Sequence, residues 1–392
     1  METKLSQSSS PLPILIVGGG IAGAMLSWEL IRRGLRAGTD FAVIDAGFQY
    51  GSSAQSTGLI NPVVFKRMTL SWGADLVPKA WESYLALEEL LRQRDGDIGF
   101  VDRRPIIRLF RNQREQESWQ LAFHDGLLDP ISQGGESAAI FELSGRAAAA
   151  IPGSGRIRPT ELMEGVKSLL VGSDAWIEGE LRWGDEITVA AALAASPDKP
   201  APRLPFHPAG IVFATGIQFR YRPGSRWKLP DAALPFYPVK GDVLLIDAGE
   251  LDDVSRGRIL SAGIAVIPTD APSYYEIGSS YIRDFTDASP DEGGARWLMD
   301  QLGALGILDR DELHKRIRGR RAGIRPASRD RLAYLGPMKS QGPAGCRIFV
   351  FNGLGTRGYM LAPALAGMLA DHILDGSAIP SELMPDRVAG VS

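Results

Sequence analysis

The feature that most constrains this chain is a glycine cluster set between an apolar run and a helical pattern near its amino terminus. Leu12-Pro13-Ile14-Leu15-Ile16-Val17 is short and continuously apolar, which suits a fully buried strand. Gly18-Gly19-Gly20-Ile21-Ala22-Gly23 follows at once. Ala22, Leu26 and Leu30 then recur four residues apart with Met25 beside them, predicting a helix to about Gly34, a plausible C-cap. Phe41-Ala42-Val43-Ile44 is the next strand, and Asp45 ends it, 22 residues after Gly23. Strand, Gly-x-Gly-x-x-Gly, helix, strand, acid is the order a dinucleotide site requires. Gly18 turns the chain, Gly20 lets backbone approach the pyrophosphate, and Gly23 lets the helix pack on the strand. The helix N-terminus faces the phosphates, and Asp45 can accept hydrogen bonds from a ribose diol. A 2′-phosphate would meet repulsion from Asp45, which argues against NADP. The motif itself does not choose between NAD and FAD.

At 392 residues the chain is too long for one core, so two domains are expected, interleaved or sequential. A formal net charge of −3 gives no global pull toward nucleic acid or anionic membrane. One cysteine, Cys346, excludes an internal disulfide, a thiolate zinc site and a cysteine-ligated iron–sulfur cluster. His124, His207, His314 and His372 share no metal-ligand spacing. Glycine is in excess, 45 residues or about 11%, against roughly 7% on average. Met1–Ser10 is polar and Ser-rich and is expected to be a disordered tail. Leu12–Leu26 lacks a basic leader, is broken by glycines and is too short to span a bilayer, so a soluble cytoplasmic protein is expected.

Further along, Ser52–Gly58 reads as a small, polar loop able to lie along a cofactor. Helical patterns follow at Trp81–Arg94, Arg114–Gln120, Pro159–Leu170 and Ala295–Leu302. Arg108-Leu109-Phe110 reads as a strand, and Ala191–Pro208 as an Ala/Pro-rich, solvent-exposed excursion. Gly210–Gly216 is a buried strand ending in a tight turn. Val243–Ile246, Ala265–Ile267 and Tyr275–Gly278 suit a mostly antiparallel sheet. Arg347–Phe351 is a strand leading to the glycine-rich turn Asn352–Gly358, and Pro363 is expected to open a helix to about Leu374 that stops at Gly376.

Together these pieces resemble the glycine oxidase and D-amino acid oxidase family of flavoproteins over nearly the whole chain. The motifs that carry the resemblance are the amino-terminal dinucleotide unit and Ser56-Thr57-Gly58-Leu59-Ile60-Asn61-Pro62. Ala214-Thr215-Gly216, Pro238-Val239-Lys240-Gly241 and Gly323-Ile324-Arg325-Pro326 follow in the family's order, then the turn and helix of Gly353–Pro363. The resemblance implies an α/β fold with an α+β second domain: a Rossmann-type FAD-binding domain interleaved with an antiparallel-sheet substrate domain. The implied FAD domain is discontinuous, from about 11–72, 150–220 and 322–384, with 73–149 and 221–321 forming the substrate domain. It implies non-covalent FAD, held by Gly18, Gly20, Ile21, Ala22, Gly23, Asp45, Ala46, Ser52, Ser53, Thr57, Gly58 and Leu59. Ala214, Thr215, Gly216, Gly353, Gly355, Thr356, Arg357, Gly358, Tyr359 and Met360 complete the implied cofactor set.

The implied chemistry is oxidation of the C–N bond of a small amino acid or N-substituted amino acid by hydride transfer to flavin N5. Oxygen or a quinone would be the acceptor, and a homo-oligomer is left open. Arg325 is the implied partner of the substrate carboxylate, because a guanidinium fork can bond both oxygens at once and Pro326 restricts its backbone. Arg357 matches a second arginine of the family site. Such transfer needs positioning more than acid–base catalysis, so no general base is assigned. Many family members place a substrate-holding tyrosine where this chain has Ala265, which implies room for a bulkier amine, with Tyr274, Tyr275 and Tyr281 as replacements for the hydroxyl. Cys346 falls away from the family's covalent flavin attachment position. Two alternatives stand beside this reading. Lys315–Arg331 is Arg-rich, as in the oxidase domain of a bifunctional tRNA wobble-uridine enzyme, although no basic excess supports RNA binding. The other is a flavin-binding scaffold without turnover.

Overall fold

The computed structural model describes residues 13–47, 51–96, 98–128, 138–183, 187–191, 202–217, 234–249, 257–306 and 313–388. The expected tail, 1–10, and residues 192–201 of the expected excursion lie outside the described residues.

The apolar run forms the strand Ile14–Val17, buried throughout, at the centre of a seven-stranded sheet. Its parallel neighbours are Phe41–Asp45 on one side and Gly210–Phe213 on the other. Trp176–Trp183 and Arg347–Asn352 extend the parallel set, and Ile187–Ala191 and Tyr334–Gln341 close its edges antiparallel. Strand order therefore reverses between Ile14–Val17 and Gly210–Phe213, and the crevice beyond their carboxyl ends is where open α/β sheets take ligands. The helix Ile21–Arg32 starts there. Gly18 has φ +107°, and a Cβ on Gly23 would lie 1.9 Å from the Gly18 carbonyl oxygen, so the turn accepts only glycine at both places.

The second large sheet has eight strands, ordered from Ile317–Arg325 through Val239–Asp247, Tyr274–Gly278, Ala265–Pro268 and Ile259–Ser261 to Ile106–Leu109, Arg146–Ala150 and Ile140–Leu143. Only the Ile259–Ser261 and Ile106–Leu109 pair is parallel. Alternation sets its two faces. Leu244 and Ile246 pack under the helix Glu292–Ala304 with Leu298 and Leu302, whereas Val239, Gly241 and Val243 face a cleft toward the first sheet. The strand Ile317–Arg325 runs through the boundary expected at residue 322.

The last helix corrects one expectation. It begins at Gly358, not at Pro363, and runs to Asp375 with Pro363 inside it. Proline there removes the N–H that would bond the Tyr359 carbonyl one turn back. The buried Tyr84 hydroxyl, from the helix Val77–Asp95, donates to that carbonyl instead at 2.8 Å. The missing donor is supplied from another helix, so the N-terminus moves five residues earlier and stands beside Arg357. A smaller correction is that Ser52–Gln55, expected as loop, forms a helical turn.

Candidate active site

One cleft of about 860 Å³ runs between the two large sheets. Of the residues implied by the sequence, all line it except Gly23, which packs helix against strand behind it. At one end the cleft is built mostly from backbone. Gly20 provides no side-chain cap to the helix Ile21–Arg32. Ser53 Oγ accepts from the Ile21 N–H at 2.9 Å, while the Ala22 N–H has no acceptor among the described residues. Uncapped N–H groups at a helix start facing a cleft suit the oxygens of a pyrophosphate. Asp45 accepts from Gly19 N and Gly47 N, both at 2.7 Å, so its carboxylate ties the glycine turn to the strand end. Burial pushes its pKa up against the pull of those two bonds. Asn352 joins two strand ends, donating to the Gly216 carbonyl at 2.9 Å and accepting from Gly353 N at 2.8 Å. Volume, helix start and ribose-side acid together fit a dinucleotide such as FAD.

The loop along the cleft is held from behind. Arg156 donates to the Thr57 carbonyl at 3.0 Å, and Arg321 to the Gln55 and Ser56 carbonyls at 3.1 and 3.2 Å. Both guanidinium groups meet the half-buried Glu276 carboxylate, at 2.7 and 3.0 Å. Tyr359 completes the clamp by donating to the Ser53 carbonyl at 3.0 Å.

The other end is built from side chains. Arg325 closes the strand Ile317–Arg325, and its guanidinium folds back over Gly241 of the neighbouring strand. A Cβ on Gly241 would lie 2.1 Å from Arg325 Nη2 and 2.6 Å from its Cζ. The guanidinium donates to Ser279 Oγ and, at 3.4 Å, to the Ser280 carbonyl. Asp242, 1% exposed, fixes Ser280 by accepting from its Oγ at 2.7 Å. No carboxylate lies within ion-pair distance of Arg325 among the described residues. Burial lowers its pKa, although an arginine still stays charged. Arg357 donates to the Trp72 carbonyl at 3.2 Å and to the Arg331 carbonyl, and it too faces the cleft without a carboxylate partner among the described residues.

Two expectations about this end are corrected. Ala265 is buried in an apolar cluster with Ile106, Ala149 and Ile267 and does not line the cleft, so its small side chain creates no room there. Of the three tyrosines, Tyr275 packs into the core under the helix Glu292–Ala304 and Tyr274 is off the cleft, whereas Tyr281 lines it and is 55% exposed. Sequence reasoning also missed the hairpin of Val63–Val64 with Thr69–Leu70, which brings Arg67 to the cleft, and Arg331 beside Arg357.

The chain belongs to the DAO family of FAD-dependent oxidoreductases, whose profile matches residues 13–372. It is similar to a glycine oxidase of Geobacillus kaustophilus strain HTA426, with 25% identity over 95% of each chain. It is 27% identical to the tRNA 5-methylaminomethyl-2-thiouridine biosynthesis bifunctional protein MnmC of Maricaulis maris strain MCS10, over 93% of this chain and 52% of that protein. The chain thus spans about half the length of that relative. Among solved structures it resembles the G. kaustophilus glycine oxidase, with a TM-score of 0.67 and 22% identity over 96% and 99% of the two chains. An iminodiacetate oxidase from Chelativorans sp. BNC1 gives a TM-score of 0.68 and 19% identity over 95% and 98%. These likenesses establish the fold. Among the described residues no helix is long and apolar enough to cross a membrane.

Proposed function

We propose that the enzyme oxidises the C–N bond of a small amino acid or N-substituted amino acid whose carboxylate pairs with Arg325. The observation that carries this reading is a guanidinium seated in a glycine-lined recess of the cleft, held by hydroxyl and carbonyl oxygens and left without an acid among the described residues. A charge so placed favours an anionic ligand that can accept two parallel hydrogen bonds. Glycine and iminodiacetate, named for two relatives, are both amines bearing carboxylates. FAD, when bound, supplies the acceptor for the hydride leaving the substrate carbon.

The chain's own residues then bind and orient. Arg325 fixes the carboxylate, and the Ser279–Ser280 segment anchored by Asp242 fixes Arg325. Arg357 adds positive charge from the turn that opens the helix Gly358–Asp375. The positive end of that helix favours negative charge developing nearby. Leu70 and Leu332 wall the cleft with apolar surface, which strengthens the ion pair by excluding water. Non-covalent FAD is supported by the position of Cys346, buried and off the cleft. We assign the FAD-binding role to the discontinuous segments about 11–72, 150–220 and 322–384.

An anaerobic screen of the holoprotein against D-, L- and N-substituted amino acids tests the reading. Bleaching of the yellow flavin band by carboxylate-bearing amines, and not by the same amines lacking the carboxylate, is the expected result. Equal bleaching by both sets would overturn it.

A further inference from the structure

The cleft carries more positive charge than one carboxylate needs. Four arginines line it, Arg67, Arg325, Arg331 and Arg357, and none forms an ion pair among the described residues. The acids of the same cleft are committed elsewhere. Asp45 and Glu180 lie on the neighbouring strands Phe41–Asp45 and Trp176–Trp183, at the ribose end. Asp330 is bonded by Arg387 at 2.8 and 3.2 Å and accepts from Ser328 Oγ and Leu332 N.

Arg331 is presented by a fixed turn. Its φ is +65°, a left-handed conformation unusual for a residue with a side chain. The Asp330–Arg387 pair holds that turn, with Arg387 also donating to the Leu332 carbonyl at 3.0 Å. The turn sets Arg331 close enough to Arg357 for their like charges to oppose each other, so Arg357's pKa is lowered by burial and then by Arg331. Like-charge repulsion at the mouth of a cleft is relieved by an anion.

Resting on the carboxylate reading of Arg325, the geometry points to a substrate that carries a second carboxylate, on the arm distal to the reacting carbon, bound by Arg331 with Arg67 and Arg357. The substrate class is a small amine dicarboxylate. A polynucleotide fits less well. Three members of the basic stretch that might have tracked phosphates are paired within the chain: Arg318 with Asp247, Arg320 with Glu292 and Arg321 with Glu276.

The test compares N-(carboxymethyl)glycine with N-(2-hydroxyethyl)glycine, which share the glycine carboxylate and differ in the charge of the arm. Anaerobic flavin reduction in the holoprotein is expected to favour the dicarboxylate by at least about tenfold at low salt. The preference should shrink as salt rises, because Arg67 and Arg331 are exposed. Arg331→Ala should cut the ratio of the two rates by about fivefold or more, Arg331→Lys should keep most of it, and Arg67→Ala should lower it less. Independently of turnover, succinate should raise the holoprotein's melting temperature more than butyrate at equal concentration, and Arg331→Ala should remove the difference. If both amines reduce the flavin equally, the second subsite is wrong while the carboxylate reading stands. Failure of both amines and of every carboxylate-bearing amine in the wider screen would break the carboxylate reading, and equal shifts by succinate and butyrate would dispose of the subsite as well. Faster reduction by an RNA oligonucleotide bearing a carboxymethylaminomethyl uridine than by N-(carboxymethyl)glycine would replace this proposal with a polynucleotide substrate.

Discussion

The two ends of the cleft are made of different material. The end proposed to hold the cofactor is backbone: glycine turns, a helix start and strand ends, with Asp45 as its main polar side chain. The opposite end is guanidinium groups carried on a strand terminus, a hairpin and two turns. This difference sets opposite sensitivities. A backbone-built surface is broken by adding atoms and a side-chain-built surface by removing them. Gly241 is the exception that joins the two rules, because an added methyl there would evict Arg325.

Substitutions can break or sharpen that contrast. The largest effect is expected at Gly23, where a Cβ meets backbone at 1.9 Å and Ile16 Cγ2 at 3.2 Å. Gly23→Val should cost at least about 3 kcal/mol, at or beyond the upper end for overpacking, and should lose FAD and with it all flavin reduction. Denaturant midpoints and flavin absorbance of the purified protein would show it. A Gly23→Val protein of normal stability and colour would end the contrast at its first term.

Next come the deletions. Arg325→Ala leaves a substrate carboxylate without its partner, at roughly 2–5 kcal/mol for a shielded pair. Each 1.36 kcal/mol is tenfold in rate, so the second-order rate of flavin reduction should fall about thirtyfold or more with FAD retained. Gly241→Ala should reproduce that kinetic defect with Arg325 still present. Stopped-flow reduction of both variants checks the prediction, and a wild-type rate in Gly241→Ala would mean that the guanidinium does not need its recess.

A smaller effect belongs to Tyr84→Phe. It leaves the buried Tyr359 carbonyl with neither the proline's missing N–H nor the hydroxyl, a loss of about 1–3 kcal/mol in unfolding free energy. The smallest is a pH effect at Asp330. Burial would raise its pKa, but Arg387, Leu332 N–H and Ser328 outweigh that and hold it down at about 2. A carboxyl whose folded pKa is depressed stabilises the fold above its ordinary pKa of about 3.9. That contribution should therefore fade as pH falls from about 4 through 2, and Asp330→Asn should flatten this part of the stability profile. The pair is partly exposed, so the change should be modest.

Legibility in the sequence follows the same division. The glycine turn could be read because a dihedral requirement is met by one residue type at fixed spacing, and Asp45 because a strand end is easily counted. The start of the last helix was misplaced because proline's usual meaning is local, whereas its compensation comes from Tyr84, 275 residues from the carbonyl it serves. Arg325 was identified by motif, but its setting among eight basic residues from Lys315 to Arg331 was not resolved. Strand alternation resolves it: Arg318 and Arg320 turn to ion pairs on one face, while on the other Gly323 and Arg325 face the cleft and Arg321 grips the loop behind it beside Glu276. Alternation could not place Ala265, whose strand is buried on both faces, or Tyr281, which lies past the end of its strand, where parity has no force.

The Glu276 clamp has a thermodynamic consequence. Glu276 belongs to the eight-stranded sheet, yet the arginines it gathers grip the loop that lies along the dinucleotide end. Whatever binds that loop also binds, by linkage, the association of the two sheets. Ligand occupancy then adds RT ln(1 + [L]/Kd) to the whole molecule instead of to one half. Heating should release the flavin and melt both sheets in one cooperative transition, whose midpoint climbs with free FAD. Glu276→Gln should split that transition in two.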